Sequence, residues 1–160
     1  MKKQKIDNSN KLVWYRGLID SARPKQWIKN LIVYFALFFT VGESWQLTNA
    51  EEASRLLLRS TAAFAVFCLI TSSIYVVNDV FDKDKDRHHL KKKTRPIAAE
   101  KIGVNLALGF AGILAVVGAM GSYMLSPSSF LMVIGYFSLM ILYSAHLKQI
   151  VIIDVIIISL

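Results

Sequence analysis

Apolar residues along this chain fall into long blocks, not at the spacing of an amphipathic surface helix, and the natural yardstick for them is a bilayer. Leu56 to Val77 is interrupted only by Arg59 near its start and by small hydroxyls. About 22 residues at 1.5 Å each cross a hydrocarbon layer of about 30 Å. Ile102 to Leu125 is a second block and Phe130 to Leu147 a third. Ile28 to Val41 is too short alone and reaches the required length when extended through Trp27 and Trp45, residues suited to the two interfaces. The pattern predicts crossings over 24–45, 56–78, 102–125 and 130–147, with a partial fifth over 150–160. The run from Ile150 to Leu160 is about half a span, and a free carboxylate at bilayer depth is costly, so a truncated product is expected, with a re-entrant segment as the alternative. The expected fold class is all-α, a polytopic transmembrane helix bundle truncated at four to five helices. Residues 1–22 are expected to form a basic cytoplasmic tail and 23–160 an incomplete transmembrane domain.

Composition agrees with this pattern. An apolar fraction of 54% and a mean hydropathy of +0.45 exclude an ordinary soluble domain. Cys68 is the only cysteine, which excludes an internal disulfide framework and a thiolate metal site. The net charge of +8 could suggest nucleic acid, but the positions of the charges point to the bilayer. Eight of the 19 Lys and Arg precede Leu31: Lys2, Lys3, Lys5, Lys11, Arg16, Arg23, Lys25 and Lys29. Eight more follow the second crossing, namely Lys83, Lys85, Arg87, Lys91, Lys92, Lys93, Arg95 and Lys101, and Lys148 follows the fourth. The segments 42–54 and 126–129 contain none. Positive-inside logic then predicts a multi-pass plasma (inner) membrane protein with its amino terminus and functional face in the cytoplasm, and no nucleic-acid partner. Arg55 and Arg59, at the outer end of the second crossing, are the exceptions, and Arg59 is expected to snorkel outward. Gly103, Gly109, Gly112, Gly118 and Gly121 in the third crossing are expected to serve close helix packing.

Candidate chemistry begins where the second crossing reaches the cytoplasm. If the helix continues, Asn78, Asp82, Asp86 and Asp79 project at roughly 0°, 40°, 80° and 100° and share one face, while Asp84 points away at roughly 240°. Three carboxylates and an amide oxygen are hard ligands, and Mg²⁺ suits them because it takes one or two carboxylates and fills its octahedron with water and substrate phosphate. The alternative is a solvated helix end, with Asp82, Asp84 and Asp86 paired to Lys83, Lys85 and Arg87. A basic stretch follows. Lys91, Lys92 and Lys93 are read as topology determinants that attract anionic lipid, and His88 and His89 as solvated loop residues. Arg95 is a candidate phosphate grip because Pro96 pins the backbone beside it. Lys29 and Asn30 lie inside an apolar segment, where snorkelling and substrate contact are both open for Lys29. Tyr143, Lys148 and Asp154 form a weaker polar group further along.

These residues resemble a known family. Asn78-Asp79-x-x-Asp82-x-x-x-Asp86, followed by Arg95-Pro96-Ile97-Ala98, resembles the first aspartate-rich motif of the UbiA superfamily of intramembrane prenyltransferases. Arg23-Pro24-Lys25-Gln26-Trp27-Ile28-Lys29-Asn30 resembles the opening of its decaprenyl-phosphate phosphoribosyltransferase branch. Tyr143-Ser144-x-x-Leu147-Lys148 and Asp154 fall where that branch has similar residues. Glu100 departs from the family's usual glycine, which puts the local turn in question.

The resemblance implies a UbiA-like bundle with a cavity open to the cytoplasm, completed by a second polar motif in later helices. It implies Mg²⁺ on Asn78, Asp79, Asp82 and Asp86 holding the diphosphate of phosphoribosyl pyrophosphate, with Asp79, Asp82 and Asp86 as the catalytic carboxylates. Lys29, Asn78, Arg95 and Lys148 are the expected substrate-binding residues. The expected reaction is transfer of a 5-phosphoribosyl group to a polyprenyl phosphate lipid, in cell envelope biosynthesis, with this fragment inactive alone. Prenyl transfer from a prenyl diphosphate to an aromatic or other small acceptor is the alternative within the superfamily. A non-enzymatic membrane protein or transporter is the alternative outside it, although its acidic residues would belong near the midplane and not at a helix mouth. The sequence carries no signal for an oligomeric state.

Overall fold

The computed structural model describes residues 8–42, 45 and 49–145, and among these every regular element is helical. Helix α1 (Asn8–Ala22) is followed by a 3-10 helix (Pro24–Tyr34) that runs directly into a short α2 (Phe35–Phe39). Then come α3 (Ala50–Phe81), α4 (Lys83–His88), a single 3-10 turn (Lys92–Thr94), α5 (Val104–Leu125) and α6 (Pro127–Ala145). Three of these, α3, α5 and α6, are long and apolar enough to cross a membrane. Residues 150–160, the partial fifth crossing, lie outside the described residues, as do Lys148 and Asp154.

The segment expected to make the first crossing, 24–45, is not a continuous α-helix. It is 3-10 for 11 residues and α for five, and the helix ends at Phe39. A 3-10 residue advances about 2.0 Å against 1.5 Å for an α residue, so this shorter stretch still reaches roughly 30 Å. Ile28, Ile32, Phe35, Phe38 and Phe39 are exposed along it, an outer face suited to lipid. Beyond it the chain turns back. Gly42 has φ +84°, and its N–H bonds the carbonyl of Trp45 at 2.8 Å. The Trp45 indole then donates to the Leu37 carbonyl at 3.3 Å and to the Thr40 hydroxyl at 3.2 Å.

Within the expected basic tail, residues 8–22 form α1, whose Leu18, Ser21 and Ala22 are buried. Leu18 joins Val76, Ile97, Ile102, Ala107 and Ala111 in a core at one end of the bundle, and Gly17 lets α1 close on Ile102. A second core of Val66, Ile70, Ile74 and Val133 lies deeper along α3 and unites it with α6.

Local rules account for the boundaries of α3. Its 32 residues extend about 48 Å, well beyond a hydrocarbon core. The surplus is polar at both ends. Asn49 caps the start by accepting from the Glu52 N–H at 3.2 Å, and Glu51 and Glu52 suit the positive end of the helix dipole. α3 and α5 approach most closely at Gly118 and Gly121, where an added Cβ would meet Ile70 Cδ1 at 2.8 Å and Val66 Cγ2 at 2.9 Å. These two glycines serve the close packing expected of the whole set. Gly103, Gly109 and Gly112 do not pack so among the described residues, where a Cβ on any of them meets nothing within 4 Å.

Along the 3-10 helix a polar seam fastens the first crossing to α3. Trp27 Nε1 donates to Ser72 Oγ at 2.9 Å, and Ser72 Oγ donates onward to the Ala22 carbonyl at 2.9 Å. Asn30 Nδ2 reaches Thr71 Oγ1 at 3.2 Å and Cys68 Sγ at 3.4 Å, and Tyr34 meets Thr61 at 3.0 Å. Asn30 is therefore satisfied between helices, the arrangement that makes a polar group tolerable at membrane depth.

Candidate active site

At the upper end of the same seam, the polar contacts become ionic. α3 stops at Phe81, and Asp82 adopts φ −91° and ψ 1° between α3 and α4. The break is slight, since the Asp82 N–H still bonds the Asn78 carbonyl at 2.9 Å and the Asp86 N–H bonds the Asp82 carbonyl at 2.8 Å. Asp79 and Asp86 are separated by two helical turns and keep nearly the same face, as the 100° spacing requires.

Both carboxylates are buried, with 2% exposure for Asp79 and 3% for Asp86. Charge at that depth demands a counter-charge and hydrogen-bond donors. Two arginines supply them. Arg95 Nη1 lies 3.1 Å from Asp79 Oδ1 and 2.6 Å from Asp86 Oδ2, so one nitrogen joins the two acids. Arg23 Nη2 donates to the same Asp79 Oδ1 at 2.5 Å, and its guanidinium carbon lies 4.9 Å from the centre of the Tyr75 ring. Lys92 Nζ adds a longer contact to Asp86 Oδ1 at 4.0 Å. Three cations, Arg23, Lys92 and Arg95, thus face Asp79 and Asp86.

Both arginines precede a proline, and the proline shapes each one. Pro cannot accept an αR residue before it, which drives its neighbour to other backbone regions. Arg95 is extended at φ −59°, ψ 141°, whereas Arg23 is left-handed at φ 52°, ψ 58° and ends α1. An L residue in that region costs on the order of 1 kcal/mol. The Asp79 pair and the Tyr75 ring hold Arg23 there. Glu100 is the other left-handed residue without a glycine, at φ 56°. The Lys101 N–H bonds the Pro96 carbonyl at 2.9 Å and the Glu100 N–H bonds that of Ile97 at 3.2 Å, the pattern of a Schellman turn whose left-handed position glycine normally fills. The Glu100 carboxylate pairs with Arg87 and, at 3.7 Å, with Lys83.

The sequence-predicted residues are distributed as follows. Asp79, Asp86 and Arg95 meet directly; Asn78 and Asp82 are half-buried on the intervening turn. Lys29 is exposed on the 3-10 helix and makes no ion pair with this cluster among the described residues. Asp84 is exposed and reaches only Arg87, at 4.0 Å, as its opposite-facing angle predicted. Asp86 turns to Arg95 and Lys92, which departs from the solvated helix-end pairing. His88 and His89 are exposed and bonded to nearby backbone. Arg23 and Lys92 are members of the cluster that sequence reasoning left out of the site. A signal for Arg23 existed in the repeated Arg-Pro dipeptide, at 23–24 and 95–96.

The donor chemistry fits a hard divalent cation of the kind that takes one or two carboxylates and completes its shell with water and phosphate. Oxygens of Asp79 and Asp86 already converge on one cationic nitrogen. Among the described residues no three acidic, His or Cys side chains are placed as a ready-made metal cage, so the remaining ligands would come from Asn78, a reoriented Asp82, solvent or a substrate.

Fold and site together define a multi-pass membrane helix bundle with buried, arginine-gripped carboxylates at one helix mouth. The model of the UbiA prenyltransferase family matches residues 31–160, and the chain belongs to that family. It is 38% identical over 143 residues to a decaprenyl-phosphate phosphoribosyltransferase of Mycolicibacterium smegmatis, covering 89% of this chain and 44% of that protein. The enzyme of the same name from Corynebacterium glutamicum is 36% identical over 145 residues, covering 89% of this chain and 42% of the relative. A 4-hydroxybenzoate octaprenyltransferase of Paracidovorax citrulli is 31% identical over 111 residues, covering 68% and 34%. The chain spans about half the length of the curated phosphoribosyltransferase relatives it matches, at 42–46% of each.

Proposed function

We propose that the protein transfers a 5-phosphoribosyl group from phosphoribosyl pyrophosphate to a polyprenyl phosphate, with Mg²⁺, at the cytoplasmic face of the plasma membrane in cell envelope biosynthesis. The observation that carries this reading is the convergence of the buried Asp79 and Asp86 on Arg95, a mixed acidic and basic surface of the kind a metal-bound diphosphate needs. The likeness to relatives named as decaprenyl-phosphate phosphoribosyltransferases supports the transferred group and the acceptor class.

Asn78, Asp79, Asp82 and Asp86 would hold the cation, which when bound neutralises charge on the departing diphosphate. Arg95 binds phosphate oxygens, and Lys29 and Lys148 extend that grip. The lipid's phosphate oxygen forms the new bond to the anomeric carbon as the bond from that carbon to diphosphate breaks. No protein nucleophile is needed. Positioning and fixed charge supply the rate, so the residues that matter are those that hold the two phosphates in line. Spanning about half of its relatives' length, the chain assayed alone is expected to be inactive.

A second reading, prenyl transfer from a prenyl diphosphate, is favoured by the likeness to a 4-hydroxybenzoate octaprenyltransferase. The two separate in one experiment. Membranes holding the full-length protein are offered labelled phosphoribosyl pyrophosphate or labelled prenyl diphosphate with Mg²⁺. Label from the first donor in the polyprenyl lipid, lost in Asp82→Asn, supports phosphoribosyl transfer; label from the second alone on a small acceptor overturns it.

A further inference from the structure

Arg59 is a charge that neither the topology nor the proposed chemistry uses. It lies on α3 twenty residues before Asp79, about 30 Å along the helix axis, and so at the far leaflet. Arg55 and Arg59 are the Lys and Arg residues that break the positive-inside pattern. In the fold Arg59 lines an open cavity of about 350 Å³ between the first crossing, α3 and the start of α6.

Two chemistries meet in that cavity. Arg59 stands with the hydroxyl-bearing Ser60, Ser126 and Ser129, while Val33, Ala36, Ala63 and Leu125 form an apolar floor. Among the described residues no acidic residue lines it. Glu52, two turns earlier on α3, is engaged with Asn49, and among the described residues Arg59 makes no ion pair. Ser126 and Ser129 share a hydroxyl contact at 2.8 Å, which fixes them at the cavity rim. A guanidinium with no acidic partner among the described residues, sharing its cavity with serine hydroxyls and apolar side chains, is complementary to a phosphate attached to acyl chains.

We propose that this cavity is a binding site for an anionic phospholipid of the far leaflet, with Arg59 holding the headgroup phosphate and the trough taking the start of an acyl chain. The site is independent of the transferase reading, because Asp79 and its partners lie at the opposite end of α3.

The test uses full-length protein in detergent with mixed phosphatidylglycerol and phosphatidylcholine, and bound lipid is counted by native mass spectrometry. Wild type is expected to retain phosphatidylglycerol in preference to phosphatidylcholine. Arg59→Gln is expected to lose about fivefold of that preference. Ala36→Phe, which fills the trough and leaves the charge, is expected to reduce retention of both lipids. Free inorganic phosphate is expected not to displace the lipid. An unchanged preference in Arg59→Gln overturns the proposal. So does displacement by inorganic phosphate alone, or a groove occupied in the full-length protein by later helices or a second copy, read as no lipid retained by wild type.

Discussion

The two halves of α3 are held in different ways. Toward Phe81 the helix is fastened by charge: Asp79 is buried between Arg23 and Arg95, and a neighbouring apolar core closes around Val76. Around the middle of the helix the fastening is steric, through Gly118 against Ile70 and Gly121 against Val66, and toward Ala50 Arg59 lines a cavity that has no acidic residue among the described residues. Buried ion pairs seldom add stability over apolar packing, so a helix that could be packed throughout but is ionic at one end is ionic for a purpose other than folding. The lesson is that charge is gathered at the Phe81 end, where the proposed diphosphate site lies, while the middle of the helix relies on close packing.

The largest effect is expected from Asp79→Asn, which leaves two guanidiniums without their shared acid. In full-length protein it should cost about 3 kcal/mol in unfolding free energy, and transfer should fall by about 100-fold or more, read by denaturation in detergent and by product formation. Next come the arginines. Arg95→Ala removes the bridge to both acids and is expected to cost about 2 kcal/mol. Arg23→Gly removes one contact while relieving about 1 kcal/mol of left-handed strain, so it should cost about half as much; equal losses would show that the bridge is not the stronger tie. In the packed half, Gly118→Ala should cost about 1 to 2 kcal/mol because its Cβ collides with the buried Ile70. Gly112→Ala, with open space around it, should stay within about 0.5 kcal/mol of wild type in the same melts. Glu100→Gly is expected to change stability little in either direction. Relief of its left-handed strain offsets the loss of exposed pairs to Arg87 and Lys83, and stability should remain within about 1 kcal/mol.

Much of the bundle was legible before any coordinates, because long apolar runs and their caps are local signals. α5 and α6 are built on long apolar runs, and Ser126-Pro127 is a readable helix start, with serine as cap and proline at the first helical position. Asn49 with Glu52 would likewise have extended α3 beyond the predicted start at 56. The 3-10 form of Pro24–Tyr34 was not legible, since it has the same composition as an α-helix and runs of that length are uncommon. In helix α1 the apolar signal lies among many charges. Trp14, Leu18 and Ala22 recur every four residues, and that face packs on the mouth.

At the site, angular spacing brought Asp79 and Asp86 onto one face and sent Asp84 away, both from the 100° turn alone. The role of Arg23 could not be read that way. Its partner lies 56 positions later, and no local periodicity encodes a contact between separate helices.

The most direct measurement follows labelled phosphoribosyl pyrophosphate into polyprenyl lipid with full-length protein in membranes, with Mg²⁺ or chelator, for wild type and for Asp86→Asn. Label is expected in the lipid only for wild type with Mg²⁺. Undiminished transfer by Asp86→Asn, or transfer that persists in chelator, would contradict a site built on these carboxylates.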